Sequence, residues 1–155
     1  MNAAWLETKV PPPVVALLIA IGMWALRRQL PAPDTAPMGD WRIAVVIAVV
    51  GVAIGVSGAI AFRRARTTHN PLHPDRASSL VRTGIYRITR NPMYLGVTIV
   101  LTAWSFALGS SMTMVGPILF VAYISLFQIA PEERVLLGIF GDEYREYTRR
   151  VRRWI

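Results

Sequence analysis

The chain has 155 residues, 54% of them hydrophobic and 17% charged, with 17 Lys plus Arg against 9 Asp plus Glu, no Cys and a mean hydropathy of +0.41. An average soluble domain is about 45–50% apolar with glycine counted and about 25% charged, so these figures exclude a disordered chain or a disulfide framework and point to lipid around much of the surface. The formal charge of +8 lies between apolar runs and not on one basic face, which favours anionic lipid headgroups over nucleic acid as its partner.

The expected fold is an all-α integral membrane protein, a single domain over residues 1–155 with about four transmembrane helices. The first span, about 10–30, opens with Pro11, Pro12 and Pro13, which a helix tolerates where its first N–H groups have no partner. A signal peptide is the rival reading, but no small-residue cleavage site follows Leu26, so the span is expected to be retained. The second, 42–62, contains 20 uncharged residues from Ile43 to Phe62, with Gly51, Gly55 and Gly58 forming a stripe on which another helix can approach. From Asn91 to Pro131 there are 41 uncharged residues, about 60 Å as one helix and twice the hydrocarbon thickness. The run must fold back at Gly109, Ser110 and Ser111, giving spans 92–108 and 112–130.

Of the 17 basic residues, 14 fall in the N-terminus, the loop 63–91 and the tail 131–155, so the positive-inside rule assigns these three segments to the cytoplasm. Arg27, Arg28 and Arg42 fall on the other side, to be answered by Asp34 and Asp40 or by snorkelling to headgroups. In the loop, Pro71, Pro74 and Pro92 restrict the backbone and Gly84 allows a turn before Ile85 and Tyr86, so an ordered loop against the membrane face is expected. His69 and His73 flank Pro71, which argues against a metal pair on one helix face. In the tail, Pro131 is expected to end the span. An amphipathic helix through Val135, Leu136 and Ile139 should stop at Phe140-Gly141, with a second charged helix after it, in which Tyr147 reads as a plain amphipathic-helix residue. Glu132 and Glu133 follow the longest uncharged run; a carboxylate there is a functional candidate, although acids in a first helical turn also complement the macrodipole.

No Gly-rich nucleotide motif, nucleophile elbow or thiolate metal site is present. The order L-V-R-T-G-I-Y-R-I-T-R-N-P-M-Y-L-G at Leu80 to Gly96, an uncharged hairpin, then E-E-R-x-L-x-x-x-F-G-x-E-Y-x-x-Y at Glu132 to Tyr147 resembles the isoprenylcysteine carboxyl methyltransferase family and the related bacterial phospholipid methyltransferases. The specific match runs from Thr68 to the C-terminus. The resemblance implies an S-adenosylmethionine-dependent methyltransferase of a bacterial inner membrane, acting on a lipophilic small-molecule or lipid acceptor, its cofactor capped by the cytoplasmic loop and tail.

By the resemblance, the cofactor positions map onto Ser79, Leu80, Val81, Tyr86, Asn91, Pro92, Met93, Tyr94 and Glu132, while Arg90, Gln128 and Glu133 are the candidate catalytic side chains. A carboxylate accepts both ribose hydroxyls, N–H groups near Pro92 suit a methionyl carboxylate, and aromatic faces attract a sulfonium. Two positions depart from the eukaryotic pattern: Asn91 stands where those members carry His, and Gln128 where an Arg for the substrate carboxylate is expected. Gln does not neutralise a carboxylate, so a different lipophilic acceptor is expected, with Arg90 or Arg82 available to an anionic one. A small four-helix transporter and a non-catalytic lipid-binding member of the fold are the alternatives.

Overall fold

The computed structural model describes residues 10–30, 38–65 and 79–155. The expectations for Asp34, His69, Pro71, His73 and Pro74 lie outside the described residues. Helix α1 (Pro12–Gln29) starts on its prolines, with Pro11 at the N-cap. At its other end Arg27 donates from Nε to the carbonyl of Leu108 at 2.8 Å, so its charge caps the carbonyl end of α3 (Pro92–Leu108). Arg28 lies over the Trp24 ring at 4.5 Å. Asp40 does not answer a guanidinium as expected; it caps α2 (Trp41–Arg64), accepting from the Arg42 backbone N–H at 2.8 Å.

Helix α2 is apolar on its outer surface, where Val45, Val46, Val49, Val52 and Val56 are exposed, and small on its inner surface, where Gly51 and Gly58 are buried. The small residues meet α3. A Cβ added to Gly96 would stand 2.6 Å from the Gly51 carbonyl oxygen and 2.8 Å from Gly55 N, so the two backbones are in direct contact along the expected stripe. Helix α3 ends at Gly109 in the left-handed region (φ 69°), and a 3-10 turn at Ser111–Met114 leads into α4 (Val115–Ile124). Met23 of α1 packs over Gly116 of α4, closing the bundle around Val15, Tyr94, Leu101, Phe120, Ile124 and Ile129.

Two findings correct the expected spans. Helices stand at all four expected places, but only α2 and the continuous run Ser111–Arg150 are both long and apolar enough to cross a membrane. Helix α1 has 18 residues and includes Arg27 and Arg28, while α3 has 17, about 26 Å at the helical rise against a hydrocarbon core of about 30 Å. Two such helices, one with an exposed surface of valines, support an integral-membrane placement.

The second correction is that Pro131 does not end the fourth helix. A π turn at Ser125–Ile129 joins α4 to α5 (Ala130–Arg150). Proline lacks an N–H and its ring crowds the carbonyl four residues back; the wider π turn before it absorbs both. Glu132 and Glu133 therefore follow a continuous helix, and the macrodipole of a fresh N-terminus is not what holds them. Gly141 (φ 52°, ψ −122°) kinks α5 after Phe140, at the expected break. The only pairing of extended backbone among the described residues is an isolated parallel bridge between Thr89 and Arg152.

Candidate functional site

The site lies where the first turn of α3, the π turn and the start of α5 meet, beneath the segment 79–91. Tyr94 is in the first turn of α3 and faces the bundle. Its hydroxyl donates to Oε1 of Glu132 at 2.7 Å, and the Gln128 amide, one turn before Glu132, donates to the same oxygen at 3.2 Å. All three side chains are buried. Glu132 has no ion-pair partner among the described residues, and both hydrogen bonds converge on one oxygen, which leaves Oε2 as its unspent acceptor. A buried carboxylate held by two neutral donors is costly unless something further engages it. The π turn contributes Gln128 and Ile129 to the buried face, an irregularity of a kind frequent at functional sites.

Glu133 points into a separate charged cluster. Its Oε1 pairs with Arg90 Nη1 at 3.1 Å, and Arg153 donates to both oxygens, Nε to Oε1 at 3.2 Å and Nη2 to Oε2 at 2.6 Å. These hydrogen bonds hold the Arg153 guanidinium still more firmly protonated than usual. Arg90 Nη1 is also 3.5 Å from the Tyr144 hydroxyl. Two guanidiniums share one carboxylate, so the cluster carries a surplus positive charge. Arg90 Nε is buried and without a hydrogen-bond partner, as is Ser79 Oγ at the other end of the loop. Two orphaned polar atoms in one short segment leave valences that a polar ligand would satisfy.

The remaining sequence-chosen residues divide by their contacts. Pro92 opens α3 and is fully buried beside Gly58, and Met93 is half-buried against the same glycine. Val81 and Tyr86 are buried, and Leu80 packs with Leu136 and Phe140 against Tyr144, Tyr147 and Val151. Tyr86 meets Phe62 of α2 edge to face at 5.3 Å, and burial pushes its phenol pKa up, so it stays protonated. The Asn91 amide is turned away from Glu132 and donates to the Arg153 carbonyl at 2.8 Å. Arg82 pairs with Glu143 at 2.7 Å at the surface.

Tyr147 is not a plain amphipathic-helix residue. It is buried, and its hydroxyl donates to the Tyr86 carbonyl at 2.8 Å, fixing the loop's single 3-10 turn (Gly84–Arg87) to α5. Tyr144, Arg153 and Thr89 were likewise absent from the sequence reading, and only the density of Tyr and Arg after Gly141 hinted at them. No group of metal-ligating side chains is found among the described residues.

Comparison with known proteins places this geometry among methyltransferases. The phospholipid methyltransferase family model matches residues 41–143, which include α2, α3, Glu132 and Glu133. An uncharacterized protein of Haemophilus influenzae is 49% identical over 63 residues, 41% of this chain and all of that protein. Methanethiol S-methyltransferase 1 of Bradyrhizobium diazoefficiens is 37% identical over 70 residues, 43% of this chain and 22% of that enzyme. The protein-S-isoprenylcysteine O-methyltransferase of Saccharomyces cerevisiae is 33% identical over 78 residues, 46% of this chain and 30% of that enzyme. The chain thus spans less than a third of the length of these two named enzymes. No solved structure matches the chain.

Proposed function

The chain belongs to the phospholipid methyltransferase family, and on that premise we propose that it transfers a methyl group from S-adenosylmethionine to a lipophilic acceptor at the membrane. The observation that carries this reading is Glu132: a buried carboxylate at the edge of an apolar bundle, held at one oxygen by Tyr94 and Gln128 with the other oxygen unspent. The site's composition fits the cofactor. Glu132 Oε2 is an acceptor for ribose hydroxyls, the orphaned Ser79 Oγ and Arg90 Nε suit polar and anionic groups, and Tyr94 and Tyr86 bring aromatic faces near a cation.

Bound S-adenosylmethionine would supply an electrophilic methyl group on a sulfonium. The chain's own residues then need to hold and enclose more than to exchange protons. Tyr94 and Gln128 fix the carboxylate, Tyr86, Val81 and Leu80 close the site from above, and the surrounding apolar side chains exclude water, so alignment is the main contribution. Gln128 is neutral, so an acceptor carboxylate would have to be met by the surplus charge around Arg90. We place the loop and tail on the cytoplasmic side, where most Arg residues lie; their direct hydrogen bonds support one shared face. The exposed Arg63, Arg64, Arg87 and Arg149 then face anionic headgroups.

The test is calorimetric titration of the purified protein in detergent with S-adenosylmethionine and S-adenosylhomocysteine. Saturable binding that is lost in Glu132→Gln, with helicity unchanged, is the expected result. Equal affinity in that variant removes Glu132 from the cofactor site, and absence of binding in the folded wild type refutes the reading.

A further inference from the structure

After α5 ends at Arg150 the chain turns extended at Val151 (φ −122°, ψ 130°) and lies along the loop. Four contacts tie it there. The Arg90 N–H donates to the Arg152 carbonyl at 3.1 Å, Asn91 Nδ2 donates to the Arg153 carbonyl at 2.8 Å, and Thr89 Oγ1 donates to the same carbonyl at 3.4 Å. The Arg153 guanidinium takes both oxygens of Glu133. Val151 is buried with Tyr144 and Tyr147, and Trp154 packs against the bundle core that contains Tyr94 and Ile129. Four residues therefore join the loop, the start of α5 and the membrane core at one point.

This seam lies directly before the site. Asn91 is the N-cap residue of α3 but makes no side-chain cap; its amide is spent on the strap. The position and direction of Pro92 and Tyr94 thus depend on a backbone held from outside the helix. Glu133 is next to Glu132, and its two-pronged pairing with Arg153 keeps that negative charge turned to the guanidiniums and away from the neutral donors around Glu132. A planar guanidinium makes this bidentate pairing, whereas an ammonium acts as a point charge.

We infer that the strap Val151–Trp154 sets the geometry of the cofactor-side loop, with Arg153 as its positioning residue: its carbonyl orients Asn91 and Thr89, and its side chain holds Glu133. The inference deepens the methyltransferase reading and rests on it for the cofactor arm of the test.

The experiment uses the full chain in detergent and compares Arg153→Gln, Arg153→Lys and Trp154→Ala with the wild type. Backbone hydrogen exchange of residues 84–91 is followed by mass spectrometry, and S-adenosylmethionine affinity by calorimetry, with exchange of α2 as the control for folding. In Arg153→Gln, exchange of the loop should rise and cofactor affinity fall, each about tenfold, while α2 is unchanged. Arg153→Lys should recover part of both, which loss of a merely structural side chain would not predict, and Trp154→Ala should loosen the loop with Glu133 still paired. Unchanged loop exchange in both Arg153→Gln and Trp154→Ala overturns the strap, and a loosened loop with unchanged affinity overturns its link to the site. If the wild type binds no cofactor, loop exchange still decides whether the strap holds the loop, and the failure falls on the methyltransferase reading.

Discussion

Replacing Tyr94 by Phe removes one oxygen from the site and leaves the ring that packs among Val15, Leu101 and Ile129. The lost contact is the 2.7 Å hydrogen bond to Glu132, the shorter of the two that hold the buried carboxylate. A hydrogen bond to a charged group contributes about 1.5–3 kcal/mol, which corresponds to roughly 10- to 150-fold in an equilibrium constant. The Gln128 bond is longer, so Gln128→Ala should cost less, about fivefold to tenfold. The expected order of S-adenosylmethionine affinity is therefore wild type, then Gln128→Ala, then Tyr94→Phe, with Glu132→Gln weakest. Calorimetry on detergent-purified variants, with circular dichroism as the check on folding, reads this order. Wild-type affinity in Tyr94→Phe would refute the argument that Tyr94 acts by holding the carboxylate.

Two further predictions concern the scaffold. Gly96→Val should lower the thermal midpoint in detergent by several degrees, on the order of 2–3 kcal/mol, because the new Cβ meets the backbone of Gly51 and Gly55, which has no rotamer through which to yield; Gly22→Ala, with nothing within 4 Å, is the matched control. Gly141→Ala should destabilise the tail by about 1–2 kcal/mol, since φ 52° with ψ −122° is a conformation L-residues rarely adopt, whereas Gly138→Ala, helical and in open space, should be neutral or stabilising. If differential unfolding shows the two alanine variants to be equal, the kink at Gly141 is not a fixed feature.

What could be read from the sequence was what depends on neighbours along the chain. The start of α3 at Pro92, the turn at Gly109, the close approach along Gly51 and Gly55 and the kink at Gly141 all follow from local residue types. The pairing of Tyr94 with Glu132 was half legible: both residues were chosen, but their contact spans 38 positions. The clasp between tail and loop was not legible, because Tyr147 to Tyr86 and Asn91 to Arg153 join segments 61 and 62 residues apart through one hydroxyl and one amide, which leave no periodicity. The π turn escaped for a different reason. Pro131 signals a stop when read alone, and only the packing of Gln128 and Ile129 into the bundle shows that the helix widens and continues. The span count was too generous because uncharged length was counted without subtracting the turn at Ser111–Met114 or the charged end of α1.

The most direct test of the central claim is methyl transfer itself. Purified protein is incubated with methyl-labelled S-adenosylmethionine and a membrane lipid extract, and label is followed into the organic-soluble fraction. The account predicts time-dependent transfer by the wild type and its loss in Glu132→Gln; transfer undiminished in Glu132→Gln, or none by a folded wild type that binds the cofactor, would contradict it.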